Sequence, residues 1–186
     1  GSRVTFFDRD TCRYRHVLLV RPTLTDGVAG IEPLRVHAGG LVWSGGLLHV
    51  AATANGFWTA ALDDVLRVPG ELRAAAYGYD HVLPVHAAHR ASADEGTDRL
   101  RYSFFSRDGD DLLVGEYAGG ATATGRLARV APAPDGHSRP EVLGEGVGHM
   151  QGVALREDRW HVTTSHGPWT PGSVWSGVPG ALTRHR

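Results

Sequence analysis

An internal repeat constrains the fold of this chain more than any other feature of its sequence. The segment HAGGLVWSGGLLHVAAT, which begins at His37, aligns without gaps with HMQGVALREDRWHVTTS, which begins at His149. Such a repeat predicts two copies of one supersecondary unit. Four positions are identical in the two copies: His37 with His149, Gly40 with Gly152, His49 with His161, and Val50 with Val162.

A third and weaker copy places Leu112–Tyr117 on Leu48–Thr53, with Gly109 in the turn at the position of Gly45. Each unit has the pattern of a strand, a tight turn and a second strand. Copies about 48 and 64 residues apart suit β-propeller blades of four antiparallel strands, since a blade takes roughly 40 to 50 residues. We therefore expect a β-propeller-like array of about four antiparallel blades. A β-sandwich or small barrel with an accidental repeat is the alternative.

Short strands dominate the rest of the pattern. The chain has 25 glycines and 10 prolines, and the apolar runs between them are short and rich in Val, Leu and aromatic residues. That composition is typical of an all-β protein. Only Ala61–Arg67 and Glu71–Ala76 predict a helical turn or two. The predicted strands are Val4–Asp8, Tyr14–Val20, Gly40–Trp43, Leu47–Thr53, Phe57–Leu62, Leu100–Ser106, Leu112–Tyr117, Gly125–Val130, Gly152–Leu155 and Trp160–Ser165.

Loops are predicted where Pro, Gly and charged residues replace apolar ones, at Pro22–Pro33, Ala91–Thr97 and Ala131–Glu145. No segment between these loops is long enough for a second domain, so residues 1–186 are predicted to form a single propeller-like domain. Gly1 and Ser2 resemble a cloning scar. Because little sequence follows the second full repeat, we expect the first hairpin to pair with C-terminal residues. A sheet edge that pairs with another chain, giving a homo-oligomer, is the alternative.

Composition excludes several classes of function. The 186 residues carry a formal net charge of -1, which supplies no field to attract nucleic acid or an anionic membrane. No apolar stretch reaches the roughly 20 residues of a membrane helix. The single cysteine, Cys12, excludes an intramolecular disulfide and a thiolate metal site. All cationic residues are Arg, which excludes Schiff-base and P-loop lysine chemistry.

Several motifs resemble an uncharacterised family of secreted actinobacterial β-propeller-like proteins. The resemblance covers most of the chain and implies a propeller-like fold and secretion, with no established activity. It is carried by FDRDT from Phe7, YRHVLL from Tyr14, HAGGLVW from His37, GEY from Gly115, MQG from Met150 and SHG from Ser165.

The candidate catalytic residues are His37, Glu116 and His149. His37 and His149 occupy the same point of the repeat, so a propeller could place both imidazoles at the mouth of its central channel. There they could transfer protons or bind a metal; alternatively, each anchors its own blade through a backbone carbonyl. Glu116 lies in an otherwise apolar strand. It could be a general acid or base with a raised pKa, a metal ligand, or the partner of an Arg.

The candidate ligand-binding residues are Tyr117, Gln151, His166 and Trp169. Gln151 adds an amide where the first copy of the repeat has Gly39, which indicates either a ligand contact or a buried hydrogen bond. His166 and Trp169 follow the last well-formed strand. Trp169 is the tryptophan most expected to be exposed and to stack on a ligand, whereas Trp43, Trp58, Trp160 and Trp175 are expected in the core.

Other histidines receive structural interpretations. His49 and His161 alternate with valines in their strands, which predicts satisfied histidines between packed blades. His81, His86 and His89 superficially suggest a metal site, but no Cys or carboxylate spacing accompanies them, and they are expected in an exposed loop. The segment from Asp108 to Asp111 predicts a hairpin turn and lacks the full ligand set of an EF-hand.

Two functions remain open on the sequence. One is a propeller that handles a small polar ligand at its channel mouth, as a non-redox lyase or hydrolase with His and Glu acid–base chemistry. The other is a non-catalytic module that binds a glycan or peptide. No cofactor motif is evident, and a divalent metal has no motif to support it. A catalyst requires titratable groups within hydrogen-bond reach of one reacting atom, whereas a binding module does not, so the positions of these groups would distinguish the two functions.

Overall fold

The computed structural model describes residues 1–93, 95–120, 122–133 and 136–185. Regular structure in these ranges consists of strands and two short 3₁₀ turns, at Leu62–Asp64 and Gly70–Leu72. The all-β class is therefore confirmed. The strands are β1 (Arg3–Asp8), β2 (Arg13–Thr25), β3 (Val28–Pro33), β4 (Leu41–Ser44), β5 (Leu47–Ala51), β6 (Phe57–Ala61), β7 (Leu66–Arg67), β8 (His81–Pro84), β9 (Ala87–Ala91), β10 (Phe104–Asp108), β11 (Asp111–Gly115), β12 (Arg126–Val130), β13 (His137–Ser138), β14 (Glu141–Glu145), β15 (Met150–Arg156), β16 (Arg159–Thr164), β17 (Ser173–Val178) and β18 (Ala181–Arg184).

The strands form four sheets, two of which include strands from later in the chain: β7 and β8 join the first sheet, and β13 joins the second. The first has the order β1-β2-β8-β7, and β3 pairs with the C-terminal half of β2. The second has the order β4-β5-β6-β9-β13. The third is β10-β11-β12-β14 and the fourth is β15-β16-β17-β18. All strand pairs are antiparallel except β2 with β8 and β9 with β13.

The repeat is visible in the strand register. The opening hairpin of the second sheet pairs Leu41 with Val50, and that of the fourth pairs Val153 with Val162, which are the aligned residues of the two copies. The third sheet pairs Phe105 with Val114 at the same repeat position. Gly40 accepts a hydrogen bond from Ala51, and Gly152 pairs with the aligned Thr163. The three hairpins are therefore equivalent, as the sequence alignment predicts.

Two-residue turns set this common register. Gly45 and Gly46 both have positive φ, 56° and 82°, and Glu157 and Asp158 at the aligned turn have 51° and 59°. Two successive residues with positive φ characterise the type I′ turn, whose twist matches that of the flanking strands. Glycine adopts positive φ without steric strain, whereas Glu157 and Asp158 in the turn of the fourth sheet are strained by their Cβ atoms.

Two predicted loops are wrong. Within Pro22–Pro33, β2 continues to Thr25 and β3 begins at Val28, joined by a turn at Asp26 and Gly27 with positive φ at both residues. Asp-Gly is itself a strong hairpin signal. Within Ala131–Glu145 the chain forms β13 and β14, whose residues are mostly exposed and so lack the apolar run of a core strand. Asp94, Pro134 and Asp135, in the predicted loops, lie outside the described residues.

Hydrophobic packing joins each sheet to the next. One buried cluster lies between the first and second sheets and includes Leu19 and Leu48; another lies between the second and third and includes Phe57 and Phe105. A third cluster joins the third and fourth sheets through Met150 and Trp160, among other residues. The first strands of the three repeat hairpins are β4, β10 and β15. Of these, β10 lies in the middle and packs against both β4 and β15.

The first hairpin does not pair with the C-terminal strands, which corrects that expectation. β2 pairs instead with β8, and in the part of the chain that the structure describes β18 pairs only with β17. β2 is already paired along this part of its length, because Leu18 and Val20 pair with Val82 and Pro84. Leu18, Val20 and Val82 belong to one buried cluster, which stabilises this pairing. Ser2 is hydrogen-bonded into this region, to the backbone of Leu34 and Leu19.

No helix within residues 1–93, 95–120, 122–133 and 136–185 is long and apolar enough to cross a membrane.

Substitution of Gly56 by Ala should destabilise the fold more than the same substitution at Gly27. Both glycines have positive φ, 75° and 79°, so both variants incur the left-handed penalty of about 1 kcal/mol. A Cβ at Gly56 would also collide with the carbonyl oxygen of His89, whereas a Cβ at Gly27 meets no atom within 4 Å. We expect Gly56→Ala to lower the free energy of unfolding by about 3 kcal/mol in urea titrations. Equal losses in the two variants would contradict this account.

Candidate functional site

Side chains from the third and fourth sheets meet at one end of the structure. In each repeat hairpin, the residue before the first strand lies beside the residues that follow the second strand, because the two strands are antiparallel. His149 precedes β15, His166 follows β16, and Tyr117 follows β11 in the adjacent sheet. We refer to Tyr117, His149 and His166 as the mouth cluster.

The three rings of the mouth cluster are in contact. The Tyr117 hydroxyl lies 3.2 Å from Nδ1 of His149, at hydrogen-bond distance, and the two ring centroids are 5.7 Å apart in an edge-on arrangement. The His149 and His166 ring centroids are 5.2 Å apart. Nε2 of His166 also lies 3.4 Å from the Thr164 hydroxyl. The structure thus brings together three of the seven candidate residues.

The backbone holds His149 in an unusual conformation. Its φ is +60°, a left-handed value that costs a non-glycine residue about 1–2 kcal/mol. Its N–H donates to the carbonyl of Ala118 at 2.9 Å, and its carbonyl accepts from the N–H of Ser165 at 3.0 Å. These two bonds tie His149 to the strand ends that carry Tyr117 and His166. Strained residues persist where the surrounding structure fixes them, and they cluster at functional sites.

The mouth cluster has the chemistry to bind polar groups and to move a proton. The Tyr117 hydroxyl and Nδ1 of His149 can each be donor or acceptor, and the choice decides whether Nε2 of His149 donates or accepts. His149 is half-buried, whereas Tyr117 and His166 are exposed. A ligand can therefore reach the cluster from solvent.

Glu116 is the partner of an arginine. Arg126 donates to it through Nε and through a terminal nitrogen, both at 2.7 Å, and the backbone N–H groups of Arg101 and Arg126 donate at 2.9 and 3.2 Å. Burial alone would raise its pKa, but these hydrogen bonds and the guanidinium charge lower it overall. The prediction of a raised pKa is wrong, and the alternative of an ion pair is confirmed.

His37 lies apart from the mouth cluster. It is exposed and lines a cavity of about 460 Å³ with Ser2, Arg35 and Asn55, among other residues. No hydrogen bond or ring contact joins His37 to His149 within the described residues, where Tyr117 is the partner of His149. The third sheet stands between the sheets that carry the two histidines, because β10 packs against both β4 and β15.

Gln151 and Trp169 are both open to solvent. The register of β15 shifts between Met150 and Gly152, so Gln151 is the extra residue of a β-bulge. Its exposure excludes the buried hydrogen bond that was one expectation, and the ligand contact stays a prediction. Trp169 is 95% exposed, as expected, but Trp43 is 62% exposed and is wrongly placed in the core by the sequence analysis.

Two buried histidines, His49 and His89, are joined through the hydroxyl of Thr59. The sequence predicts the burial of His49 but not that of His89. His89 lies in β9 and is buried, which corrects its assignment to an exposed loop. Its Nε2 is 3.0 Å from the Thr59 hydroxyl, which lies 2.9 Å from Nδ1 of His49. The His89 ring also stacks on Phe57 at 4.2 Å. The prediction of a satisfied, buried His49 is confirmed.

Aromatic side chains, most of them exposed, line a separate groove. This cavity of about 730 Å³ lies between the β1–β2 hairpin and β4, with Phe6, Phe7, Tyr14 and Trp43 in its walls and Arg13 among its polar residues. The seven candidate residues are all outside it. The exposure of Trp43 follows from its position on this groove.

Within the ranges that the structure describes, no group of three or more His, Cys, Asp or Glu side chains is arranged to hold a metal ion.

No family model matches this chain, and no curated protein matches it either. The function is therefore inferred from the geometry of the site.

Replacement of Glu116 by Gln should destabilise the protein, because it leaves Arg126 with a neutral partner in a poorly solvated place. The Glu116 and Arg126 side chains are only 12% and 27% exposed. We expect the free energy of unfolding to fall by about 2–3 kcal/mol, the range for hydrogen bonds to charged groups. Glu32→Gln is the matched control, since the Arg21–Glu32 pair is 50% and 58% exposed and should contribute less than about 1 kcal/mol. Similar losses in urea titrations of both variants would refute the assignment.

His49 should make stability depend on pH below neutrality. Burial, followed by the neighbouring His89 and His86, lowers the pKa of His49 from 6.5 to about 4. The unfolded chain then binds more protons between pH 6.5 and 4, so stability falls as the pH falls through that window, by about 3 kcal/mol at most.

The measurement is chemical denaturation at several pH values. His49→Gln, which does not titrate, should flatten the profile between pH 6.5 and 4. His161→Gln is the control, because His161 holds the aligned position in the fourth sheet and is only half-buried. An unchanged slope in His49→Gln would show that other groups cause the dependence.

Proposed function

We propose that this protein is a β-propeller-like module that binds a small polar ligand at the mouth cluster. Four sheets in series, three of which open with hairpins of identical register, support a propeller-like arrangement over a sandwich or small barrel. Blades of a propeller repeat one antiparallel unit around an axis and gather ligand sites where strand ends meet.

The convergence of Tyr117, His149 and His166 from two sheets carries this proposal. The His149 ring contacts both of the others. Tyr117, from the third sheet, approaches it at hydrogen-bond distance and edge-on, and His166 contacts it at a centroid distance of 5.2 Å. A structural histidine is commonly buried with its partners, as His49 is. Tyr117 and His166 instead expose hydrogen-bonding groups to solvent, while the backbone fixes His149 between them.

Residues close in sequence to His149 and His166 indicate the class of ligand. Imidazole and phenol groups exchange hydrogen bonds with hydroxyl and amide groups, and the Gln151 amide near the start of β15 adds a donor and an acceptor. Trp169, in the loop after β16, offers an exposed face for stacking. A glycan or a peptide combines such polar groups with a flat apolar face, so we favour the non-catalytic binding of one of these.

Acid–base catalysis by a lyase or hydrolase is the second candidate. The hydrogen bond between the Tyr117 hydroxyl and Nδ1 of His149 favours it, since a paired phenol and imidazole can relay a proton. Glu116 does not serve this candidate as a general acid, because Arg126 holds it ionised. Tyr117 and His149 would then be the catalytic pair, with His37 outside it.

Ligand titration monitored by ¹H–¹⁵N NMR tests the proposed site. With N-acetylglucosamine, cellobiose and a glycylglutamate dipeptide as ligands, we expect chemical shifts to change at residues 117, 149 and 166 for at least one of them. His149→Ala and His166→Ala should weaken that binding about tenfold each. His86→Ala, an exposed histidine outside the cluster, should leave it unchanged. Binding that survives both cluster variants, or no shift at these residues with any ligand, would contradict the proposal.

Tyr117→Phe separates binding from catalysis. If the protein only binds, removal of the hydroxyl should reduce affinity modestly, because the phenyl ring retains its contact with His149. If it is a lyase or hydrolase, the variant should retain the ligand but lose turnover, since the Tyr117 to Nδ1 proton path is gone. Product formation measured by NMR on the same samples distinguishes the two outcomes.

Secretion, which the family resemblance implies, stays a prediction. So does association of copies of the chain through sheet edges, for which β1 and β18 are edge strands in the described part of the protein.

A further inference from the structure

A polar cavity of about 640 Å³ opens between the first and second sheets. We propose that it binds a small organic anion, a molecule with a carboxylate or phosphate group on a sugar-like or flat body. Three arginines and one carboxylate contribute charge to its walls, together with an amide and an indole. These side chains belong to Arg21, Glu32, Arg35, Asn55, Trp58 and Arg90.

The charge of the cavity walls favours an anion. Arg21 is neutralised by Glu32, which pairs with it across β2 and β3 at 2.7 Å. Arg35 donates one hydrogen bond to the Tyr77 hydroxyl at 2.9 Å, a neutral partner that leaves its charge and its other donors in place. Arg90 has no side-chain hydrogen bond or ion pair within the described residues, and its guanidinium is exposed. Among the described residues, two positive charges of the cavity therefore have no carboxylate partner.

Strand register explains why Arg90 and Trp58 share a wall. β6 and β9 pair Phe57 with His89 and Trp58 with Ala88. Alternate residues of a strand face opposite sides, so Arg90 lies on the same side as Ala88 and Trp58. His89 and Phe57 occupy the other side and stack in the core. The small Ala88 side chain leaves open the space beside the indole of Trp58.

The Trp58 indole supplies an apolar part of the cavity wall. Its Nε1 is buried and has no hydrogen-bond partner among the described residues. Buried donors are nearly always paired in folded proteins, because an unpaired one loses its hydration without compensation. Because this nitrogen is shielded from solvent, a ligand in the cavity would meet the rest of the indole, which provides an apolar wall for the body of that ligand.

Arginine narrows the chemistry of the ligand. The guanidinium has five donors in a planar fork that binds carboxylates and phosphates in a bidentate manner. A uronic acid and a sugar phosphate both present such a group on a body that this cavity volume can hold. None of the mouth residues Tyr117, His149 and His166 lines the cavity, so this inference is independent of the proposed function.

Isothermal titration calorimetry on the intact chain tests the inference, with D-glucuronate, glucose 6-phosphate, inorganic phosphate and D-glucose as ligands. We expect at least one organic anion to bind at least tenfold more tightly than glucose and than inorganic phosphate, with an affinity that falls as salt is added. The stronger of the two organic anions shows whether the carboxylate or the phosphate is preferred.

Substitutions in the cavity locate the binding. Arg35→Gln and Arg90→Gln should each weaken the organic anion about tenfold or more, the usual effect of losing a charged hydrogen bond. Arg90→Lys retains the charge but not the fork, so it should weaken binding less than Arg90→Gln. Arg156→Gln removes an 82% exposed arginine outside the cavity and should change affinity less than twofold. Thermal unfolding of each variant verifies that it is folded.

Four results would overturn the inference. They are equal binding of glucose and glucuronate, equal binding of inorganic phosphate and both organic anions, unchanged affinity in folded Arg35→Gln and Arg90→Gln, and no heat with any ligand at 10 mM. Equal losses in Arg90→Gln and Arg156→Gln would likewise show a general charge effect rather than a site.

Discussion

Burial of both faces of short central strands is the constraint on which the rest of this structure depends. In β11, Leu112 and Val114 pack toward the second sheet, whereas Leu113 between them packs toward the fourth. A strand that is buried on both sides cannot shift by one residue without exchanging its two sets of contacts. The same requirement applies to β2, where Val17 and Leu19 face the second sheet and Leu18 and Val20 face the opposite cluster. Packing on both sides thus fixes the register.

A fixed register determines which polar side chains meet at the strand ends. Tyr117 and His149 come from different sheets, and they contact because β11 and β15 pack together with defined end points. Glu116, one residue earlier, turns to Arg126 on its own sheet and is neutralised there. Adjacent residues therefore have different partners: Glu116 bonds Arg126 of the neighbouring strand β12, whereas Tyr117 contacts His149 of the fourth sheet. The polar chemistry of this protein lies where the apolar packing ends.

The proposed anion cavity also lies where apolar packing ends, in this case between the first and second sheets. The first and second sheets are joined by aliphatic side chains such as Leu19 and Leu48, but this packing does not extend as far as Ala88. An alanine opposite Trp58 leaves space that no neighbouring side chain fills. The mouth cluster and this cavity use different groups, imidazole and phenol in one case and guanidinium in the other. They are accordingly suited to different ligands.

The sequence by itself determined the all-β class, the presence of the ten predicted strands, the equivalence of the repeat hairpins and the exposure of Trp169, although β10 begins at Phe104 and not at the predicted Leu100. These properties depend on local signals: apolar runs, turn residues with positive φ, and a gapless repeat. Strands without such runs, including β14, and the partners of polar groups were decided by the tertiary structure. Thr59 meets His89 across 30 residues and Tyr117 meets His149 across 32. The first contact depends on the pairing of β6 with β9, and the second on which sheets are neighbours. Both are selected by burial of strand and sheet faces rather than by any signal near the residues that meet.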